Sequence, residues 1–294
     1  MSDEAKSPCG LRIVARPSLD RPRLVFGLSG WMNGGDVSTG TIEYLARKCG
    51  ADVLGEIDDE AFYLFSFPGS MELSALIRPF CKIEDGLITG YKMPRNALFC
   101  CEAQGLILMV GREPNLRWDQ YADCVFSLCE RFGVSAIWFI GSVAGLVPHS
   151  REPRLHASVS DEKLKPMLEQ FRVRFSNYEG PASVVTYLTR RAAERGLPMV
   201  SLVAEIPAYV QGPNHRCIES AVRQLAGILN VQVPLDDLRA MGDRLERRLD
   251  EVLQKHPELL ERIRKLEEDY DNDVFNTEMG DLKDWLEQKG IRLD

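Results

Sequence analysis

The runs VSAIWFIGSV (residues 134–143) and PMVSLVAEIP (198–207) are apolar at almost every position. A strand with one wet face alternates apolar and polar residues. A short run without alternation, closed by turn residues, reads as a strand buried on both faces, and such strands belong to parallel sheets covered by helices on either side. RLVFGLSG (23–30) and QGLILMVG (104–111) have the same character.

Segments with helical periodicity lie between these runs: DVSTGTIEYLARKCG (36–50), LRWDQYADCVFSLCERFG (116–133), SVVTYLTRRAAERG (183–196) and HRCIESAVRQLAGILN (215–230). In the first, Val37, Ile42 and Leu45 recur on one face, Asp36 or Ser38 supplies a cap, and Gly50 stops the helix. Alternating buried strands and helices imply right-handed crossovers and a three-layer α/β/α sandwich with a mostly parallel sheet. The segment 58–101 is different. FYLFSF, CKIEDGLITGYKMP and ALFCC are short, separated by turn residues, and read as hairpins or an edge extension of the sheet.

The chain changes character at Pro234. Residues 236–294 carry 18 Asp+Glu and 11 Lys+Arg, so most of the net charge of −8 sits there. Leu245, Leu249, Val252, Ile263 and Leu266 fall on a 4,3 spacing broken at His256-Pro257, which predicts helices over 236–255 and 257–271 and a short third one in MGDLKDWLEQKG. The stripe must be covered by the body of the protein or by a partner, because isolated helices of this length are marginal in water. The expected organisation is a core over 1–234 and a helical extension over 235–294.

Charge and composition exclude several classes. A net charge of −8 leaves no basic stripe for nucleic acid and no polybasic membrane patch. No run approaches the roughly 18 apolar residues of a membrane span, and MSDEAKSPCG has no apolar signal core. A cytoplasmic location is expected, and with it reduced thiols at the 8 cysteines, none of them in a CxxC pair. No cofactor and no metal is expected; His149 and His156 stand seven apart across a proline, which is no metal-ligand spacing.

Three stretches follow carboxyl ends of predicted strands, where ligands of open α/β sheets gather. In GWMNGGD, Gly34, Gly35 and Asp36 form a glycine loop before a helix, able either to present backbone N–H groups to an anion or simply to turn the chain. In GLVPHSREP, His149, Ser150 and Arg151 can orient an anion, His149 can act as a general base, or the Pro-His pair can be a plain tight turn. In AEIPAYVQGPNHRC, Glu205 can pair with His215 or Arg151, or form a structural ion pair, while Asn214 caps the next helix. No nucleophile elbow, P-loop or dinucleotide fingerprint is present.

Taken together, GWMNGGDVSTGTIEYL, GREPNLRWDQYADCVFSLCERFGV leading into GSVAGLVPHSREPRL, and GLPMVSLVAEIPAYVQGPNHRCIESAVRQL resemble the proteasome assembly chaperone family in its prokaryotic branch, as does the tail LERIRKLEEDYDND. The likeness runs over about 22–290. It implies a fold similar to nucleoside phosphorylases, usually in a homo-oligomer, and a binding or assembly protein working through surfaces shared with a protein partner. The alternative is a small-molecule enzyme (hydrolase, phosphorylase-like or ATP-dependent) using the sheet-end cleft. The chain departs from the family at Ser150 and Glu152, where PHTRP is usual, and at Pro181-Ala182-Ser183, where a glycine is usual before the helix.

Overall fold

The computed structural model describes residues 10–288 apart from 59, 67, 70, 72–74, 76 and 172, with only the backbone described for 278 and 280–288. The four apolar runs are strands: β2 (Arg23–Ser29), β7 (Leu106–Arg112), β8 (Ala136–Gly145) and β11 (Met199–Pro207). They lie side by side in the order β7-β2-β8-β11, all parallel. The sheet is extended by further strands, of which only the one containing ALFCC is expected from the sequence as an edge extension. On one side are β6 (Asn96–Cys101), β3 (Asp52–Ile57) and β1 (Leu11–Ile13), each antiparallel to its neighbour. On the other, β9 (Arg154–Val159) runs antiparallel to β11, and the two-residue β10 (Arg174–Phe175) runs parallel to β9. The nine-stranded sheet is therefore parallel at its centre and antiparallel in most of its flanks.

Alternation within the strands splits the core in two. Leu24, Phe26 and Leu28 of β2 face α2 (Trp118–Phe132) and α4 (Val184–Glu194), with Tyr121, Val125, Leu128 and Leu188 buried against them. Val25 points the other way, toward α1 (Val37–Lys48) and α5 (His215–Leu229), into a cluster with Ile42, Leu45, Ile218, Val222 and Leu225. Helices on both faces complete three layers. Gly27, also on the α1 face, lets that helix approach closely: a Cβ there would stand 2.3 Å from the Ser38 carbonyl oxygen and 2.9 Å from Ile42 Cγ1. Ser38 uses the proximity, donating to the Ile140 carbonyl at 2.6 Å and accepting from the Leu28 N–H at 3.0 Å.

The segment 58–101 resolves into three parts. The described residues of FYLFSF form no strand: Glu60–Phe62 is a 3₁₀ turn that buries Phe62 and Tyr63. The hairpin of β4 (Phe80–Glu84) and β5 (Leu87–Lys92) stands apart as its own two-stranded sheet, with Phe80, Ile83, Leu87, Ile88 and Tyr91 exposed. Among the described residues of the segment, only ALFCC and the preceding Asn96 join the main sheet, in β6. A short helix, α3 (Lys165–Glu169), follows β9.

The tail forms α6 (Asp236–Gln254) and α7 (Pro257–Gln288). Pro257 occupies the first position of α7, where its missing N–H is harmless. The expected third helix is not separate. Gly280 does not end α7, which continues to Gln288 as one 32-residue helix. α6 packs on α5 with Leu238 buried. The stripe beyond is half covered: Leu245, Leu249, Ile263 and Leu266 are intermediate in exposure and Val252 is 52% exposed.

All seven described cysteines are free thiols, five of them buried, with Cys49 partly exposed and Cys81 exposed. Burial pushes Cys49 up to about 11 and Cys129 and Cys217 up to about 12, so these stay protonated and inert at neutral pH. Among the described cysteines, Cys81 is expected to be the first to react with a thiol reagent in the native protein, and Cys81→Ser to remove that phase. Equal native labelling of Cys124 or Cys129 would contradict the packing of α2. Among the described residues, no helix is long and apolar enough to cross a membrane.

Candidate active-edge surface

Because β7, β2, β8 and β11 are parallel, the loops after their carboxyl ends gather along one edge of the sheet. The glycine loop sits there, wedged between β8 and the start of α5. Ser142 Oγ donates to the Gly34 carbonyl at 2.6 Å, and Asn214 N–H donates to the Gly35 carbonyl at 2.8 Å. A Cβ on Gly35 would meet Asn214 Cβ at 2.9 Å and Ile206 Cδ1 at 3.0 Å, and the residue needs φ of +59°. These glycines thus serve close packing of three chain segments. The α1 cap also differs from expectation. Asp36, at φ 55°, makes no side-chain cap bond, and Ser38 points into the sheet; Asn33 Oδ1 accepts the Thr39 N–H at 3.0 Å instead.

The Pro-His-Ser-Arg turn after β8 is held by the tail. His149 is 7% exposed. Its N–H donates to Tyr209 Oη at 2.7 Å, and the same phenol lies 2.7 Å from Nδ1. With the phenol O–H directed at Nδ1, the network assigns the proton to Nε2, which faces Asp250 of α6 at 3.4 Å. Ser150 Oγ donates to Glu267 of α7. Arg151 grips Asp271 through Nε and Nη2, both at 2.8 Å, a bidentate fork. Two residues further on, Asp273 receives Arg154 of β9 and Arg174 of β10, each at 2.9 Å. Tyr270 donates to the Glu152 carbonyl at 2.7 Å while Arg154 stacks on its ring at 4.3 Å. Four of these partners, Glu267, Tyr270, Asp271 and Thr277, recur at helical spacing on one face of α7, and Thr277 Oγ1 accepts from Arg174 at 3.0 Å.

Glu205 pairs with neither His215 nor Arg151. It lies beside Arg154 and His156 of the adjacent strand, each at 3.6 Å. The hydrogen bond from His156 holds its carboxyl below the usual range, aided by the Arg154 charge and opposed by burial. Gly145 makes room, since a Cβ there would collide with the Glu205 side chain at 2.2 Å. His215 stands at the first position of α5, whose cap is Asn214 Oδ1 accepting the Cys217 N–H at 3.1 Å. The edge thus collects Gly34, Gly35, His149, Ser150, Arg151 and Glu205, but joins them to separate partners. Sequence reasoning missed Tyr209, Arg154, Arg174 and the acids of α7. The spacing of Glu267, Tyr270 and Asp271 on one helix face was the available signal. Among the described residues, no group of three or more His, Cys, Asp or Glu is placed to hold a metal ion.

A family model described as the PAC2 family matches residues 27–253. The chain belongs to the PAC2 family. Among solved structures, this PAC2 chain is similar to a proteasome-assembly chaperone homologue of Mycobacterium tuberculosis, Rv2125, at 27% identity, covering 81% of this chain and 98% of that one with a TM-score of 0.71. It shares its fold with the M. tuberculosis protein of unknown function Rv2714, at 22% identity, 93% and 95% coverage and a TM-score of 0.81. It also shares it with PbaB of Pyrococcus furiosus, an archaeal proteasome activator, at 18% identity, 82% and 97% coverage and a TM-score of 0.62. A search of curated proteins returns no match. The PAC2 match ends inside α6, so α7, which closes over the turn, lies beyond it.

The contacts of α7 make its docking acid-sensitive. Arginine hydrogen bonds hold Asp271 and Asp273 below the ordinary carboxylate range. A carboxylate depressed on folding adds stability above its unfolded pKa, about 4, and loses it as pH falls through the lower folded value. Amide protection in α7 is therefore expected to drop below about pH 4 while the central strands stay protected. Arg151→Ala with Arg174→Ala should bring the loss to neutral pH. Protection of α7 that persists until the sheet itself unfolds would count against this docking.

Proposed function

We propose that this PAC2 protein is an assembly-chaperone-like binding protein that acts through protein surfaces, with residues 1–234 as the core and 235–294 as an extension that shapes those surfaces. The single observation that carries the reading is the state of the sheet-end edge. His149, Ser150 and Arg151 are engaged by Tyr209, Asp250, Glu267 and Asp271, and Glu205 by Arg154 and His156. Polar groups spent on intramolecular contacts are poorly placed for acid–base chemistry on a substrate. Family membership and the likeness to a proteasome-assembly chaperone homologue support the same reading. The half-covered stripe of Leu245, Leu249, Val252, Ile263 and Leu266 suits further burial against a protein partner or a second copy. The test is reconstitution with the α and β proteasome subunits of the same organism, followed by light scattering and native electrophoresis. A stoichiometric complex with subunits or assembly intermediates is expected; no association with any of them, and no change in assembly rate, would refute the proposal.

A further inference from the structure

A second surface lies away from the pairs just described. An open groove of about 810 Å³ runs between the loop ahead of α5 and the outer face of α6. Met241, Arg244, Leu245 and Arg248 recur at helical spacing along it, with Arg247 and Glu251 beside them. Pro213 and His215 form the opposite wall, where α5 begins.

The arginines are the unusual part. Arg151, Arg154 and Arg174 all face carboxylates. Arg244, Arg247 and Arg248 do not: among the described residues, no carboxylate oxygen lies within 4.0 Å of any of them. Arg244 and Arg247 donate only to carbonyls of their own helix, at 3.1 and 3.2 Å. Three cations without acid partners flank an apolar floor in a chain of net charge −8. The N-terminal end of α5 adds positive potential to the same wall, and Glu251 is the one carboxylate in the lining.

We propose that this groove binds an acidic segment of a partner protein, its carboxylates on Arg244, Arg247 and Arg248 and an apolar side chain on Met241 and Leu245. The proposal rests on the protein-binding reading above and names the chemistry of the partner. Charge complementarity favours a carboxylate-rich occupant, since guanidinium forks match carboxylates in bidentate geometry. The open groove, lined along one helix face, suits a peptide laid on it, whereas small-molecule sites enclose most of their ligand.

The test uses the full chain and a fluorescein-labelled peptide of sequence Asp-Glu-Leu-Glu-Glu-Leu-Asp-Glu, read by fluorescence anisotropy. Saturable binding that weakens with added salt is expected. Arg247→Glu with Arg248→Glu should weaken it at least about ten-fold, as reversal of charged contacts does. Arg190→Glu on α4, an exposed reversal elsewhere, should leave it unchanged. Serine in place of the peptide's leucines should also weaken it. Equal binding to the Arg247/Arg248 variant, absence of saturable binding, or competitive displacement by inorganic phosphate at submillimolar concentration would overturn the proposal. A chain that ignores the peptide yet associates with proteasome subunits removes the groove and leaves the assembly reading standing. Peptide binding without proteasome association does the reverse.

Discussion

Deleting residues 235–294 is expected to lower the melting temperature by roughly 10 °C or more, at about 2–4 °C per kcal/mol for a domain of this size. The reasons lie at the α5–α6 contact. Leu238 is 4% exposed and belongs to the same cluster as Val222 and Leu225. Exposing one buried leucine costs about 1.5–3 kcal/mol, and the half-covered Leu245, Leu249, Ile263 and Leu266 add fractions of that amount. Gly242 lies close to the α5 backbone, where a Cβ would sit 3.3 Å from Arg216 Cα. Tyr44 Oη loses its partner Asp237, though its bond to the Pro234 carbonyl at 2.6 Å depends only on the new chain end. The deletion also removes the carboxylates facing Arg151 and Arg174, and leaves His149 with Tyr209 alone and Arg154 with Glu205 alone. Calorimetry measures the result, with sedimentation to follow any change in assembly. An unchanged melting temperature and sedimentation coefficient would mean that the extension neither stabilises nor assembles the protein.

The second large effect is expected at Gly27. Gly27→Ala places a methyl 2.3 Å from the Ser38 carbonyl oxygen and 2.8 Å from its carbonyl carbon. Those atoms are helix backbone, so α1 must move away from the sheet. Overpacking costs about 1–3 kcal/mol when side chains can adjust. Here the displacement also breaks the two buried Ser38 hydrogen bonds, each worth about 1 kcal/mol. We expect a loss near 3–5 kcal/mol in denaturant melts, on the upper side of ordinary point mutations. Gly133→Ala is the comparison, because nothing lies within 4 Å of a Cβ there and only its φ of +62° resists. If both substitutions cost the same, close packing is not the reason for Gly27.

The central sheet was legible because burial on both faces leaves an unbroken apolar run, as in β8 and β11. Their helices were legible because caps and stop glycines bracket them: Ser183 accepts the Thr186 N–H, and Gly133 ends α2 in the left-handed region. Of the flanking strands only β6 was, through ALFCC. β9 reads RLHASV, with Leu155 and Ala157 inward and Arg154 and His156 outward; so little apolar content resembles a loop. β10 has two residues and is a strand only because β9 is there to pair with it. For the candidate site, position along the edge followed from parallel topology, whereas partners did not. Arg151 and Asp271 are separated by 120 residues, and no local rule links them. Glu205 was drawn toward His215 by nearness in sequence. Its actual partners come from β9, a strand that had not been foreseen.

That long separation has a consequence for how the protein is born. Arg151 leaves the ribosome 120 residues before Asp271. At about 5–20 residues per second, the interval is on the order of 6–24 seconds. Until Asp271 and Asp273 emerge, the growing domain displays Arg151 and Arg174 without their acids and Arg154 with Glu205 alone. The exposed positive charge is local to this face, since residues 1–235 carry 25 Lys+Arg against 26 Asp+Glu. Translation of α7 reverses that sign locally. Emergence of α7, rather than folding of the sheet, is the moment at which this face stops attracting the polyanions that surround a translating ribosome.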